Sequence, residues 1–174
     1  HFAALPKATC TYRMYPGVTY EAPCILWHIR GTAENIIVDL GPPEPAQCLV
    51  NHGLVIKRSP EQEPLNALRA RGLSADDVKT VLVTHLHWDH ANGFHLFKNA
   101  RFLIQRKEVE YAIAPLPCHR SLYYEKDLGR PPFVDYLDRI ELIDGDCEIE
   151  DGVRAVFLPS HSPGFQGVSV STEK

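Results

Sequence analysis

The chain has 174 residues, 44% of them hydrophobic, enough for one domain built around a single compact core. Its 22 acidic and 18 basic residues give a formal charge of −4 without long runs of either sign, which excludes a basic footprint for nucleic acid or an anionic membrane surface. No stretch approaches the roughly 18 apolar residues needed to span a bilayer, and the N-terminus lacks the basic start and apolar run of a signal peptide, so the expectation is a cytoplasmic protein that meets a small molecule, with no nucleic-acid or membrane partner.

In chain order, two apolar, β-branched runs at 24–29 and 35–40 flank Arg30-Gly31-Thr32-Ala33-Glu34 and read as a hairpin. The second run stops abruptly at Asp39-Leu40-Gly41-Pro42-Pro43. Residues 42–59 hold three prolines among mixed polarity and read as a surface loop. A helix is expected from about Pro60, with Leu65, Leu68 and Leu73 near one face and Gly72 as its terminator. Ser74-Ala75-Asp76-Asp77 carries a capping signal for one short turn, after which the buried-strand run 80–84 leads straight into His85. A strand at 101–105 and a helix over 107–113, with Val109 and Ile113 on one face, come next. Residues 114–139 break the rhythm with four prolines and no clean periodicity, an insertion of the kind that is functional or mobile. Strands resume at 140–143, 153–158 and 168–171, with turns at Gly145 and Gly152. Alternating strands and helices imply a layered α/β domain. The chain opens without an initiator Met and closes on an alternating strand that should turn into a partner, so a single domain over 1–174, truncated at its C-terminus and short of a few residues at its N-terminus, is the expectation.

The five cysteines are widely spaced, odd in number and never paired as C-x-x-C, which argues for separate thiols in a reducing compartment and against a disulfide framework or a cysteine zinc site. The chemistry gathers instead in Thr84-His85-Leu86-His87-Trp88-Asp89-His90-Ala91-Asn92-Gly93. Three imidazoles and a carboxylate fall within six residues directly after a buried strand, the ligand set that zinc-like cations prefer. A tight turn there can aim His85 and His87 at one point and Asp89 and His90 at a second point nearby, a geometry for two metals.

His85-x-His87-x-Asp89-His90 resembles the signature of the metallo-β-lactamase superfamily. Three other stretches agree with it in order: Asp39 in Val38-Asp39-Leu40-Gly41, Arg101-Phe102 with its following helix, and His161 in Ser160-His161-Ser162-Pro163-Gly164. The likeness runs from about Tyr12 onward. Arg58-Ser59-Pro60, Leu96-Phe97-Lys98-Asn99-Ala100-Arg101-Phe102 and Gln105-Arg106-Lys107-Glu108 are most similar to the bacterial N-acyl-homoserine-lactone lactonase group. The resemblance implies an αβ/βα sandwich, of which this chain would form the N-terminal half to two-thirds. It also implies His85, His87 and His161 as ligands of one metal, Asp89 and His90 as ligands of another, and Zn2+ as the ion, two per complete site, with other divalent metals admissible. A bridging Asp, a last His and a lactone-assisting Tyr of the family have no counterpart here, so the C-terminal remainder of the same fold is the partner the resemblance calls for; oligomeric state is left open.

Two metals about 3.5 to 4 Å apart turn a bridging water into a nucleophile near neutral pH, one metal polarising a carbonyl while the other receives the leaving alkoxide. Asp89 is then the candidate catalytic residue, as ligand and proton manager. The reaction expected is lactone opening. Thioester, cyclic amide and phosphodiester hydrolysis, or a non-catalytic metal-binding module, stay as alternatives.

Asp39 has two compatible readings, an outer carboxylate orienting the metal loop or a strand-closing acid bonded to nearby amides. Tyr123, Tyr124 and Phe133 are candidates for an apolar wall over a substrate, against the plainer role of anchoring the insertion to the core. His28 reads as a core or edge side chain and His52 and His119 as solvated loop residues; His95, five residues past the metal loop, could line the pocket but, lacking a partner motif, reads as an ordinary loop side chain.

Overall fold

The structure, a computed structural model, describes residues 2–31 and 33–172, so that Thr32 of the expected hairpin turn lies outside the described residues. In chain order the elements are β1 (Phe2–Pro6), a single helical turn α1 (Lys7–Cys10), β2 (Thr19–Pro23), β3 (Trp27–Ile29), β4 (Asn35–Val38), α2 (Pro45–His52), β5 (Ile56–Lys57), α3 (Pro64–Arg69), β6 (Val78–Leu82), β7 (Arg101–Gln105), α4 (Arg106–Ile113), α5 (Arg120–Tyr123), β8 (Ile140–Ile143), β9 (Cys147–Glu150), β10 (Val153–Phe157) and β11 (Gln166–Val170). The strands form a five-stranded sheet in the order β3-β4-β6-β7-β8, a three-stranded sheet β11-β10-β9 and a small sheet β2-β1-β5.

The central sheet explains its own sequence. β4, β6, β7 and β8 are parallel neighbours and β3 is antiparallel to β4, which buries the middle strands on both faces over most of their length, with apolar stretches Ile36–Val38, Val81–Leu82 and Phe102–Ile104 and polar or charged residues at or near their starts. Alternate side chains go opposite ways. Ile37, Val81, Val83, Phe102 and Ile104 face α3, α4, α5 and the insertion in one cluster, which also takes Phe94, Phe97, Tyr123 and Phe133. Ile36, Val38, Leu82, Leu103 and Ile143 face the other way, against Val153 and Ala155, and so join the central sheet to the β9–β11 sheet. The result is the helix-sheet-sheet part of an αβ/βα sandwich. Among the described residues no helix is long and apolar enough to cross a membrane.

Several local expectations are corrected. Residues 24–26 are not strand, because Pro23 ends β2 and Cys24 drops into a separate cluster with Cys48 and Ile56. Residues 42–59 contain α2 and β5; α2 starts on Pro45 and ends at Gly53, whose φ of 69° lets its N–H reach the Leu49 carbonyl at 3.0 Å. Its Leu49 and Val50 are exposed, so no apolar stripe signalled it. The helix from Pro60 is split by Pro64 into a 3₁₀ turn, Pro60–Gln62, and α3, since Pro64 brings no N–H to a continuing ladder. In α4 the buried positions are Glu108, Val109 and Ala112, whereas Ile113 is exposed. The insertion is ordered by short turns, with Tyr123 and Phe133 driven into the core.

Candidate metal centre

Asp39 follows the last residue of β4 with φ 63°, a left-handed conformation that Asp tolerates better than most side chains, and is buried. The turn aims its carboxylate at the end of the neighbouring parallel strand. There Thr84 donates its N–H to Oδ1 at 2.7 Å, and its hydroxyl lies 2.9 Å from both carboxylate oxygens. His90 Nδ1 is 2.7 Å from Oδ2. One carboxylate thus accepts a neighbouring amide and lies within hydrogen-bond reach of a histidine of the loop, contacts that fit both readings of Asp39.

The loop after β6 is pinned by its apolar members. Leu86 and Ala91 enter the main core, while Trp88 packs on the Cys24–Cys48–Ile56 cluster and stacks on His52 at 4.6 Å between ring centroids. With these anchored, the polar members converge. Ring centroids of His85, His87 and His161 lie 4.5 to 4.8 Å apart, and one ligand atom from each falls within 4.8 Å of the others. His85, Asp89 and His90 meet the same limit as a second group. His85 belongs to both, so two donor sets adjoin.

His161 arrives from the other sheet, on the loop between β10 and β11. That loop is latched by Gln166, fully buried, whose side-chain amide donates to the Val83 and Leu103 carbonyls at 2.9 and 3.1 Å and whose N–H donates to the Thr84 carbonyl at 2.9 Å.

The donor atoms suit a cation. The Thr84 hydroxyl, spending its hydrogen on Asp39, can only accept from His85 Nδ1 at 3.1 Å, which leaves Nε2 of His85 as the lone pair. That Nε2 is buried and has no protein partner, an arrangement that costs free energy until an acceptor of lone pairs fills it. By the same reasoning His90, donating from Nδ1 to Asp39, presents Nε2, which lies 3.5 Å from Asp89 Oδ2. Burial, and then the neighbouring imidazoles, hold His85 far below the ordinary histidine range and His87 down at about 3, so both stay neutral as metal ligands must. Burial also opposes charging of His90, but the hydrogen bond and charge of Asp39, joined by Asp89, outweigh it and raise its pKa.

The remaining candidates separate. Tyr123 stands edge-on to His87 at 4.8 Å and borders a hollow of about 330 Å³ that His87, His161, Tyr111, His119 and Leu122 also line. Phe133 is in the core and lines no part of that hollow; Tyr124 donates its hydroxyl to the Ile113 carbonyl at 2.6 Å and anchors the insertion. His52 is not solvated: its side chain is 4% exposed and Nε2 is 3.2 Å from Glu125 Oε1, because α2 carries it beneath Trp88. His119 is exposed and bonds the Tyr111 hydroxyl, and His95 lies across the loop beside Leu40 and Asn92, away from both donor groups. Sequence reading missed Thr84, Gln166 and Glu108. The last looks like one more surface acid in Arg-Lys-Glu-Val-Glu, yet it is fully buried.

The model of the metallo-β-lactamase superfamily matches residues 24–174. An N-acyl homoserine lactonase of Bacillus thuringiensis is 31% identical over 98% of this chain and 67% of its own length, and one of Bacillus cereus is 29% identical over the same shares. A solved N-acyl homoserine lactone hydrolase, with the product N-hexanoyl-L-homoserine at its catalytic metal center, superposes with a TM-score of 0.78 at 29% identity, over 99% of this chain and 68% of that one. The chain therefore spans about two thirds of the length of these relatives, and with its fold, its histidine loop and the match of all but its first residues it belongs to the metallo-β-lactamase superfamily, among relatives that are N-acyl homoserine lactonases.

Proposed function

We propose that this chain carries the metal-binding part of a hydrolase that opens the ring of N-acyl homoserine lactones. The observation behind the reading is the pair of adjoining donor groups that share His85, with its buried, unpartnered Nε2. His85, His87 and His161 would hold one divalent cation, and Asp89 with His90 would help hold a second; an imidazole-rich set with one carboxylate suits zinc first and other divalent metals after it. A cation bound there supplies Lewis acidity toward a carbonyl oxygen and lowers the pKa of water. The chain's own groups do the arranging. Asp39 and Thr84 fix the ring orientations of His90 and His85, while burial keeps His85 and His87 unprotonated. Asp89, whose side chain is one-third exposed, is the carboxylate able to reach both the second donor group and a proton shed toward solvent. Tyr123 walls the side of His87 where an acyl chain would lie. The similarity to lactonases supports the substrate class.

The test loads the natural-length protein with zinc and offers N-hexanoyl-homoserine lactone beside a thioester, a cyclic amide and a phosphodiester. Ring opening of the lactone well above the other three is expected, lost on chelation. Faster thioester or phosphodiester cleavage would move the activity to another branch of the superfamily, and absence of metal uptake would remove the reading.

A further inference from the structure

Glu108 is the third residue of α4 and is completely buried. Four donors converge on its carboxylate. Oε1 receives the Leu86 N–H at 2.9 Å and the Tyr123 hydroxyl at 3.4 Å; Oε2 receives the Ser162 hydroxyl at 2.6 Å and the Gly164 N–H at 3.0 Å. Leu86 sits between His85 and His87, Ser162 follows His161, and the Tyr123 ring stands against His87. One side chain therefore holds the chain neighbours of all three imidazoles. It touches none of the imidazoles by hydrogen bond.

The approach is close by design of the sequence. A Cβ on Gly164 would stand 2.2 Å from the Glu108 backbone nitrogen, so only glycine lets the His161 loop come near enough to bond. A carboxylate taken out of water is costly unless hydrogen bonds and an opposite charge compensate it. Here all four donors are neutral, and among the described residues no Lys, Arg or His forms an ion pair with Glu108. We infer that Glu108 is the positioning residue of the three-histidine site: it locks the His85–His87 loop to the His161 loop, and its negative charge is balanced by the divalent cation those imidazoles hold. The inference rests on the metal reading above.

Zinc affinity measured by competition with a chromophoric chelator, and the visible spectrum of the Co2+-loaded protein, test it on wild type, Glu108→Gln and Ser162→Ala. Glutamine keeps the shape but removes the charge and turns one acceptor into a donor that faces existing donors. Its zinc dissociation constant should rise about 10- to 100-fold, as when an outer partner of a metal ligand is lost, and the cobalt bands should shift because ligand geometry changes. Ser162→Ala removes a single hydrogen bond and should weaken zinc by about fivefold. A Glu108→Gln protein that binds zinc like wild type with an unaltered cobalt spectrum, and differs only in melting temperature, would reduce Glu108 to a core strut and overturn the inference. Should that variant not fold, unchanged zinc affinity and spectrum in Ser162→Ala overturn it equally. Wild type that takes up no zinc would instead overturn the metal reading underneath.

Discussion

At the scale of single residues, the Asp39 carboxylate is the hinge of the second donor group. It holds the pKa of His90 up against burial, so in the metal-free protein Asp39→Asn, which keeps a side chain that tolerates the left-handed backbone, should move the His90 titration to lower pH by NMR. An unmoved or higher value would show that Asp39 does not govern that ring. His87 behaves the other way. Its folded pKa, near 3, lies below the roughly 6.5 of an unfolded histidine, so the unfolded chain takes the proton first. The resulting stability is fully present above about pH 6.5 and declines as pH falls toward 3, which urea midpoints of the metal-free protein should record as a steady drop. His87→Ala should lower bound zinc per chain; unchanged metal content would mean that ring serves another end. His85, His87 and His90 were legible in sequence because they sit in one short string after a strand, whereas His161, some seventy residues on, was legible only through the family resemblance of its Ser160–Gly164 stretch. Glu108 and Gln166 were not, because a buried polar side chain is recognised by the distant partners it meets: donors at Leu86, Ser162 and Gly164 for Glu108, and the acceptor carbonyls of Val83 and Leu103 for Gln166.

Among the elements, the strands of the central sheet could be read because parallel pairing between covered faces favours apolar runs, as in Phe102–Ile104; the run at 80–84 located β6 but two residues late, since the strand is Val78–Leu82 and includes the exposed Lys79. Short elements escaped. α2 buries Cys48 and Asn51 in place of an aliphatic stripe, and β1, β2 and β5 are stabilised by pairing with one another across long sequence separations, which no local pattern encodes. The loop between β10 and β11 shows a different kind of signal. Its Pro163-Gly164 reads as a turn, yet Gly164 is not among the glycines with positive φ; what requires glycine there is the Glu108 backbone alongside. Gly164→Ala should therefore cost about 1 to 3 kcal/mol or more in a denaturant titration, and weaken zinc binding with it, whereas alanine at a merely exposed turn would leave the metal untouched. A neutral Gly164→Ala would show that the two segments can part freely.

For the whole molecule, the decisive feature is that the three-histidine group draws on both sheets, His85 and His87 from the end of β6 and His161 from beyond β10. A ligand bound only by the folded form stabilises it by mass action, so free zinc at about 100 times its dissociation constant should add about 2.7 kcal/mol and raise the melting temperature, an increase that chelator reverses. An equal rise in His87→Ala would place the zinc elsewhere. The same geometry has a bearing on time. Three imidazoles from two separately laid sheets meet only once Ile36, Val38, Leu82 and Leu103 have closed on Val153 and Ala155, so the chelate has no counterpart in a half-assembled chain. Interactions that form after the rate-limiting ascent slow the return journey without hastening the outward one. In stopped-flow experiments zinc should leave the refolding limb of the chevron nearly where it was and lower the unfolding limb, making the bound ion a brake on the opening of the sandwich.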